Sequence, residues 1–382
     1  MSAVTAKWAL TRLGDICEFK YGKSLPETAR AGGDISVFGS NGIVGAHNSA
    51  LTEGPTIIIG RKGSHGEVNF SPASCWPIDT TYYVDHSATK ADIRWLFHRL
   101  CGAGLNQMNR AAAVPGLNRE DAYRVEILLP PLEEQRRIAA ILDQAETLRT
   151  QRRTALALLD SLTQSLFLDM FGDPVRGDGR YSVQAVETIA SEERYSIVDG
   201  PFGSAIKQSD YLDSGIPVIR IGNLTKDGYY SSSNLLYIGR TLFESLKRSN
   251  VLPGDVLISR VGTLGNTCIY PPDAGEALLS TTGVCKIKVN TKVMLAEYLH
   301  AAIRCPSFQE QIQKSASTSV QKYFNLSALK SWQIVVPPLP LQQTFATRIA
   351  AIEALKATHR RALAALDALF ASLQQRAFAG AL

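Results

Sequence analysis

Leu128-Leu-Pro-Pro-Leu132 and Val335-Val-Pro-Pro-Leu339 are one short phrase written twice, 207 residues apart. A glutamine follows each, Gln135 and Gln342. At the same spacing Leu148 matches Leu355, Arg153 matches Arg360, Asp160 matches Asp367, Leu162 matches Leu369 and Leu166 matches Leu373. Upstream, Asn118 falls on Asn325. A second set of matches sets Gly60-Arg-Lys-Gly-Ser-His-Gly66 against Ser259-Arg-Val-Gly-Thr-Leu-Gly265, now 199 residues apart. A loop absorbs such a change of spacing at little cost. Ile35-Ser-Val-Phe-Gly-Ser-Asn41 loosely parallels Ile216-Pro-Val-Ile-Arg-Ile-Gly-Asn223. The chain is therefore an internal repeat of a large unit and not a solenoid. Its order is globular unit, long helix, globular unit, long helix, over residues 1–130, 131–172, 173–336 and 337–382.

The helices follow from punctuation and period. Between Leu132 and Phe171 there is neither Gly nor Pro; Pro130-Pro131 stands before and Gly172-Asp-Pro174 after. Those are start and stop signals. Apolar residues at Ile141, Ala145, Leu148, Ala155, Leu159, Leu162 and Leu166 alternate gaps of four and three, a heptad seam. The second copy gives Ile352, Leu355, Ala362, Leu366, Leu369 and Leu373. Connectivity predicts an antiparallel pair with a pseudo-two-fold axis, a coiled coil. Arg152 and His359 then face each other at mid-seam, either as a polar layer fixing register or snorkelling to solvent. About 38 helical residues span roughly 57 Å, on the order of 17 base pairs of duplex. Such a spacer suits two DNA-reading units or two protein partners equally.

Composition bounds the class. A chain of 382 residues predicts two or three domains. Its 45% apolar content suits real cores, and no apolar run reaches the 18 residues that a membrane span needs. Nothing at the N-terminus reads as a signal peptide. The net charge of +5 is too small to argue for nucleic acid alone. By segment it is +1 for 1–130, −2 for 131–179, +3 for 180–336 and +3 for 337–382. Six scattered cysteines without a C-x-x-C pair imply reduced thiols and a cytoplasmic protein. The six histidines form no metal-binding spacing.

Both globular units read as α+β, with strands outnumbering helices. Thr56-Ile-Ile-Ile59, Val218-Ile-Arg-Ile221 and Val256-Leu-Ile258 are strand-like, and Lys286-Ile-Lys-Val289 alternates as a half-exposed strand does. Residues 93–100 and 295–303 read as helices.

Several stretches together resemble the specificity subunit of Type I restriction-modification systems. In the first unit they are Phe38-Gly-Ser-Asn-Gly-Ile-Val-Gly45 with His47-Asn48, Gly54-Pro-Thr-Ile-Ile-Ile-Gly-Arg-Lys-Gly-Ser64 and Trp76-Pro-Ile-Asp-Thr-Thr81. In the second they are Asp199-Gly-Pro-Phe-Gly-Ser204, Gly215-Ile-Pro-Val-Ile-Arg220 and Gly254-Asp-Val-Leu-Ile-Ser-Arg-Val-Gly262. The Pro-Pro-Leu openings complete the pattern across nearly the whole chain. The resemblance implies two similar α/β target recognition domains, separated by the two long antiparallel helices. Each domain would read one half of a bipartite double-stranded DNA site. It further implies docking of two methyltransferase (modification) subunits and of restriction (motor-nuclease) subunits. S-adenosylmethionine, ATP and Mg²⁺ would sit on those partners, with no cofactor, metal or catalytic residue in this chain.

No catalytic signature contradicts that expectation. Pro271-Pro-Asp273 reverses the amino-methyltransferase motif and lacks its aromatic residue. Gly22-Lys-Ser24 resembles the end of a phosphate loop, but Cys17 stands where its first glycine belongs. The alternatives left open are a structural coiled-coil adaptor that binds no DNA and the specificity subunit of a related restriction-modification type.

Residue chemistry nominates DNA contacts. Lys, Arg, Ser, Thr and Asn reach phosphates; Arg, Lys, Asn and Gln read base edges. In the first unit the candidates are Ser40, Asn41, His47, Asn48, Arg61, Lys62, Ser64, His65 and Arg110. In the second they are Lys207, Arg220, Asn223, Lys226, Arg260, Thr263, Gln321, Lys322 and Tyr323. Arg61 and Arg260 can equally brace a turn. The helix-seam set is Leu148, Arg152, Leu159, Leu355, His359 and Leu366.

Overall fold

The computed structural model describes residues 8–108, 116–280 and 283–382. Contacts divide the chain into two compact units: residues up to Thr154 together with His359–Leu382, and Ala155–Thr358. Each unit thus combines one α+β domain with part of each long helix. Those helices are Leu132–Phe171 and Leu339–Phe378, 40 residues each.

The repeat is visible in the sheets. In the first unit an antiparallel sheet runs in the order Lys20–Tyr21, Thr81–Val84, Thr56–Gly60, Val68–Ser71. In the second its counterpart runs Ile197–Asp199, Val284–Ile287, Val256–Ser259, Thr267–Ile269. A mixed sheet accompanies each, of three strands in the first unit and five in the second. Its shared feature is one parallel pair, Ile35–Gly39 with Trp76–Pro77 and Ile216–Ile219 with Ala277–Leu279. Where a half-exposed strand was expected over 286–289, the strand is instead Val284–Ile287 and wholly buried; of the expected run Lys288 alone is half-buried. Lys286 is tolerated there because its ammonium reaches Asp255 at 2.9 Å.

The helices Ile93–Cys101 and Ala296–Arg304 pack beside these sheets. The paired glutamines of the repeat explain how they are held. Gln135 accepts a hydrogen bond from Asp92 N–H and donates to the Pro130 carbonyl, both at 2.8 Å. Gln342 accepts from Leu295 N–H at 2.8 Å and donates to Pro337 (2.8 Å) and Val293 (3.0 Å). Asp92 and Leu295 are the residues immediately before the two helices. Each glutamine therefore clasps the start of a short helix to the start of a long one. Asn118 and Asn325, also repeat-related, both cap short helices by accepting backbone N–H bonds.

Within each unit the two long helices run antiparallel. In the first, Arg149 meets Asp367 and the Arg152 guanidinium lies 3.4 Å from His359 Nδ1. In the second, the Phe167 and Phe345 rings pack at 5.5 Å, beside Phe171 and Tyr298. The leucine seam needs correction. Leu148 and Leu355 are 38% and 47% exposed, while Leu159 and Leu366 are half-buried. The inward places belong to their neighbours Arg149 and Lys356, whose methylene stems pack while their heads pair with carboxylates.

Burial and the Arg304 cation push His300 down to about 4 from its ordinary 6.5. A depressed histidine stabilises above its unfolded pKa, and that stability is lost as pH falls toward the folded value. The melting temperature is expected to drop between pH 6.5 and 4, by a loss of about 3 kcal/mol. His300→Gln should flatten that decline in a melting series across pH.

Candidate nucleic-acid interface

The hairpin loops after Thr56–Gly60 and Val256–Ser259 are built alike. Gly63 and Gly262 take φ of +72° and +73°, and Gly66 and Gly265 take +75° and +82°. These are left-handed positions that favour glycine. A side chain on Gly66 would also strike the backbone of Asn106, at 2.2 Å. The backbone hydrogen bonds repeat as well. Gly66 N–H bonds the Gly60 carbonyl, and Gly265 N–H the Ser259 carbonyl, at 2.8 and 2.9 Å. Leu117 N–H bonds Arg61 and Phe324 N–H bonds Arg260, at 2.9 and 3.2 Å.

The side chains on this shared frame differ. Arg61 donates from Nε to the Asp79 carbonyl at 3.1 Å, and its guanidinium lies 5.2 Å from the Tyr21 ring. Lys62 and Ser64 are exposed; His65 is half-buried and turns back on Gly63. The Ser40-Asn41 turn joins the same edge. Ser40 Oγ, Arg61 N–H and Lys62 N–H all converge on the Thr80 carbonyl, at 2.7, 2.9 and 3.2 Å. Asn41 and Asn48 are exposed. His47 is held by Ala31 N–H at 3.1 Å and by the Trp76 ring edge. Arg110 lies outside the described residues.

Tyr21 and Arg119, at this edge, escaped the sequence reading. Tyr21 is 53% exposed and lies between the Arg61 and Arg119 guanidiniums, 5.2 and 5.4 Å from its ring centre. Burial and the neighbouring Tyr21 push the Tyr82 phenol behind it up to about 12, so it stays neutral. Tyr21 belongs to a strand of two residues, too short for any hydropathy period to announce. Gly22, once a phosphate-loop suspect, is glycine for another reason: a side chain there would sit 2.1 Å from the Ile78 carbonyl.

In the second unit Thr263 and the segment Gln321, Lys322, Tyr323 come together and are exposed. Gly262 N–H bonds the Lys322 carbonyl at 2.9 Å, and Val261 pairs with Tyr323 as a bridge. Lys207 and Lys226 are exposed elsewhere on the unit. Arg220 is half-buried and donates to the Asn234 carbonyl.

Two candidates are corrected. Asn223 is 2% exposed; its amide accepts from Arg220 N–H and donates to Ser231 and Ser233, so it shapes a turn. Arg260 is 8% exposed, ion-paired with Asp199 and bonded to the Phe324 carbonyl at 3.0 Å. Both side chains are consumed by the fold and cannot reach a duplex. The turn-bracing alternative holds for Arg260.

A family model for the Type I restriction modification DNA specificity domain matches residues 5–157 and again 202–367. The specificity subunit of the Escherichia coli Type I restriction enzyme EcoBI is 24% identical over 326 residues, 78% of this chain and 68% of that one. The corresponding EcoprrI subunit is 32% identical over 120 residues, 29% of this chain and 28% of that one. The Type I S subunit of M. genitalium shares the fold with a TM-score of 0.64 at 13% identity, covering 99% of this chain and 98% of that one. Among the described residues no helix is long and apolar enough to cross a membrane. The chain belongs to the family of Type I restriction-modification DNA specificity proteins and is a DNA specificity subunit.

Proposed function

We propose that each α+β domain reads one half of a bipartite DNA target, through the hairpin-loop edge at Ser40–His65 in the first and Thr263–Tyr323 in the second. The observation that carries this reading is one loop frame built twice with different side chains upon it. A shared frame presents the loop to the same feature of a duplex; unlike side chains then distinguish unlike sequences.

The chain supplies recognition and no catalytic step. Burial pushes the thiols of Cys17, Cys268, Cys285 and Cys305 up to about 12, which suits structural rather than nucleophilic cysteines. Two modification subunits and the restriction subunits complete the enzyme in the cytoplasm, and bind S-adenosylmethionine, ATP and Mg²⁺. Exposed leucines support a pair of identical partners. Leu148 with Leu355, and Leu162 with Leu369, are repeat-related and each 38–49% exposed. A partner that fits one member fits the other.

Neither domain segment is strongly basic, so the partners supply much of the phosphate contact. In gel shifts across a salt titration, the isolated chain is expected to bind duplex weakly, and the assembled complex tightly and with sequence preference. Tight specific binding by the isolated chain would contradict the division of labour. A stable complex without DNA affinity would favour the adaptor role.

A further inference from the structure

We propose that Arg61 reads a guanine in the half-site of the first domain, and that Tyr21 is the residue that positions it. The inference deepens the DNA-reading function above and rests on it. The repeat shows why the first domain carries this device and the second does not. In the first sheet Tyr82 pairs with Tyr21 on one side and with Ile59, two residues before Arg61, on the other. In the second, Cys285 pairs with Asp199 and with Ile258, two residues before Arg260. Tyr21 and Asp199 therefore hold the same place beside the loop arginine. The residues after the capping Asn118 and Asn325 differ too, Arg119 against Leu326. Asp199 draws Arg260 into the fold by ion pairing and leaves it 8% exposed. Tyr21 offers a ring instead of a charge, and Arg61 stays at the edge.

The Arg61 guanidinium is fixed before DNA arrives. Its Nε donates to the Asp79 carbonyl at 3.1 Å, and its Nη2 donates to the same oxygen. Its centre lies 5.2 Å from the Tyr21 ring centre and 5.9 Å from that of Tyr82. The quadrupole of an aromatic ring attracts a cation so placed. Arg119 lies 5.4 Å from the Tyr21 ring centre and 5.7 Å from that of Tyr123. It steadies the ring that steadies Arg61.

The donors left on Arg61 decide the ligand. A guanidinium is a planar fork of N–H donors, and its side-on pair, Nε with Nη2, is spent on Asp79. The end-on pair, Nη1 with Nη2, presents two parallel donors that match guanine O6 and N7. A fork held in one plane gives up little freedom on making that bidentate contact. A phosphate asks for charge and not for a fixed plane. The exposed Lys62 next in the chain, on its flexible stem, suits that task. The loop tip stands clear of the fold, since a Cβ on Gly63 would meet nothing within 4 Å.

The test uses the full chain assembled with its modification subunit, read by methylation mapping and by gel shifts on duplexes changed at single base pairs. Tyr21→Ala and Arg61→Lys are each expected to relax the motif at one and the same G·C pair, in one half-site. Discrimination there should fall on the order of ten- to hundredfold. Tyr21→Phe keeps the ring and should keep the motif. Tyr21 is 53% exposed, so melting of the purified alanine variant should stay close to wild type. Should that variant not fold, Arg61→Lys decides the guanine assignment. Binding weakened evenly across all sequences would make Arg61 a phosphate contact and overturn that assignment, as would an unchanged motif in Arg61→Lys. Equal relaxation by Tyr21→Phe and Tyr21→Ala would overturn the positioning role of the ring. A wild-type complex giving no bipartite motif would instead defeat the DNA reading itself, and this inference with it.

Discussion

Gln342→Ala is expected to lower the stability of the second unit by about 3–5 kcal/mol, a fall in melting temperature of about 10 °C. The side chain is 0% exposed and satisfies three backbone groups at once. Truncation leaves Leu295 N–H and the carbonyls of Val293 and Pro337 desolvated and unpaired, and each such group costs about 1–3 kcal/mol. It also opens a cavity where the short helix Ala296–Arg304 meets the long one. Gln135→Ala should cost less, because Gln135 satisfies two groups where Gln342 satisfies three. Thermal melting of both variants checks the ranking; equal, small losses would mean that water replaces the clasp.

Asp199→Ala is expected to destabilise the second unit by about 3–5 kcal/mol, the cost of leaving a buried charge without its partner. Asp199 is 3% exposed and receives Arg260 together with Arg248, the latter at 3.3 Å. Removing it strands the Arg260 guanidinium beneath the hairpin loop. The loop bearing Thr263 would then loosen, so sequence discrimination in the assembled complex should fall along with the melting temperature. Replacing Arg260 by Met at the same time removes the stranded charge and should recover part of the stability. A single variant as stable as wild type would show that the pair carries no weight.

What the sequence disclosed was what repeats or lies close by. The duplicated Pro-Pro-Leu phrase foretold both long helices; the matches at Gln135/Gln342 and Asn118/Asn325 fall on residues whose roles as clasps and caps only the contacts reveal. The two hairpin loops were legible because their glycines repeat. What stayed hidden depends on partners distant in the chain. Arg260 reads as a DNA contact until Asp199, 61 residues earlier, is seen beside it. Lys286 reads as exposed until Asp255, 31 residues earlier, neutralises it. Hydropathy placed Leu148 and Leu355 on the seam because it counts Arg149 and Lys356 as polar throughout. Their stems are apolar, and Asp367 answers Arg149 across 218 residues of chain.

The claim that each domain reads its own half-site is tested most directly by exchanging residues 1–130 for those of a relative with another target. Methylation is then mapped in cells that also make the modification subunit. The account expects a bipartite motif in which one half changes while the other half and the gap stay as they were. A motif changed in both halves, or in neither, would contradict it.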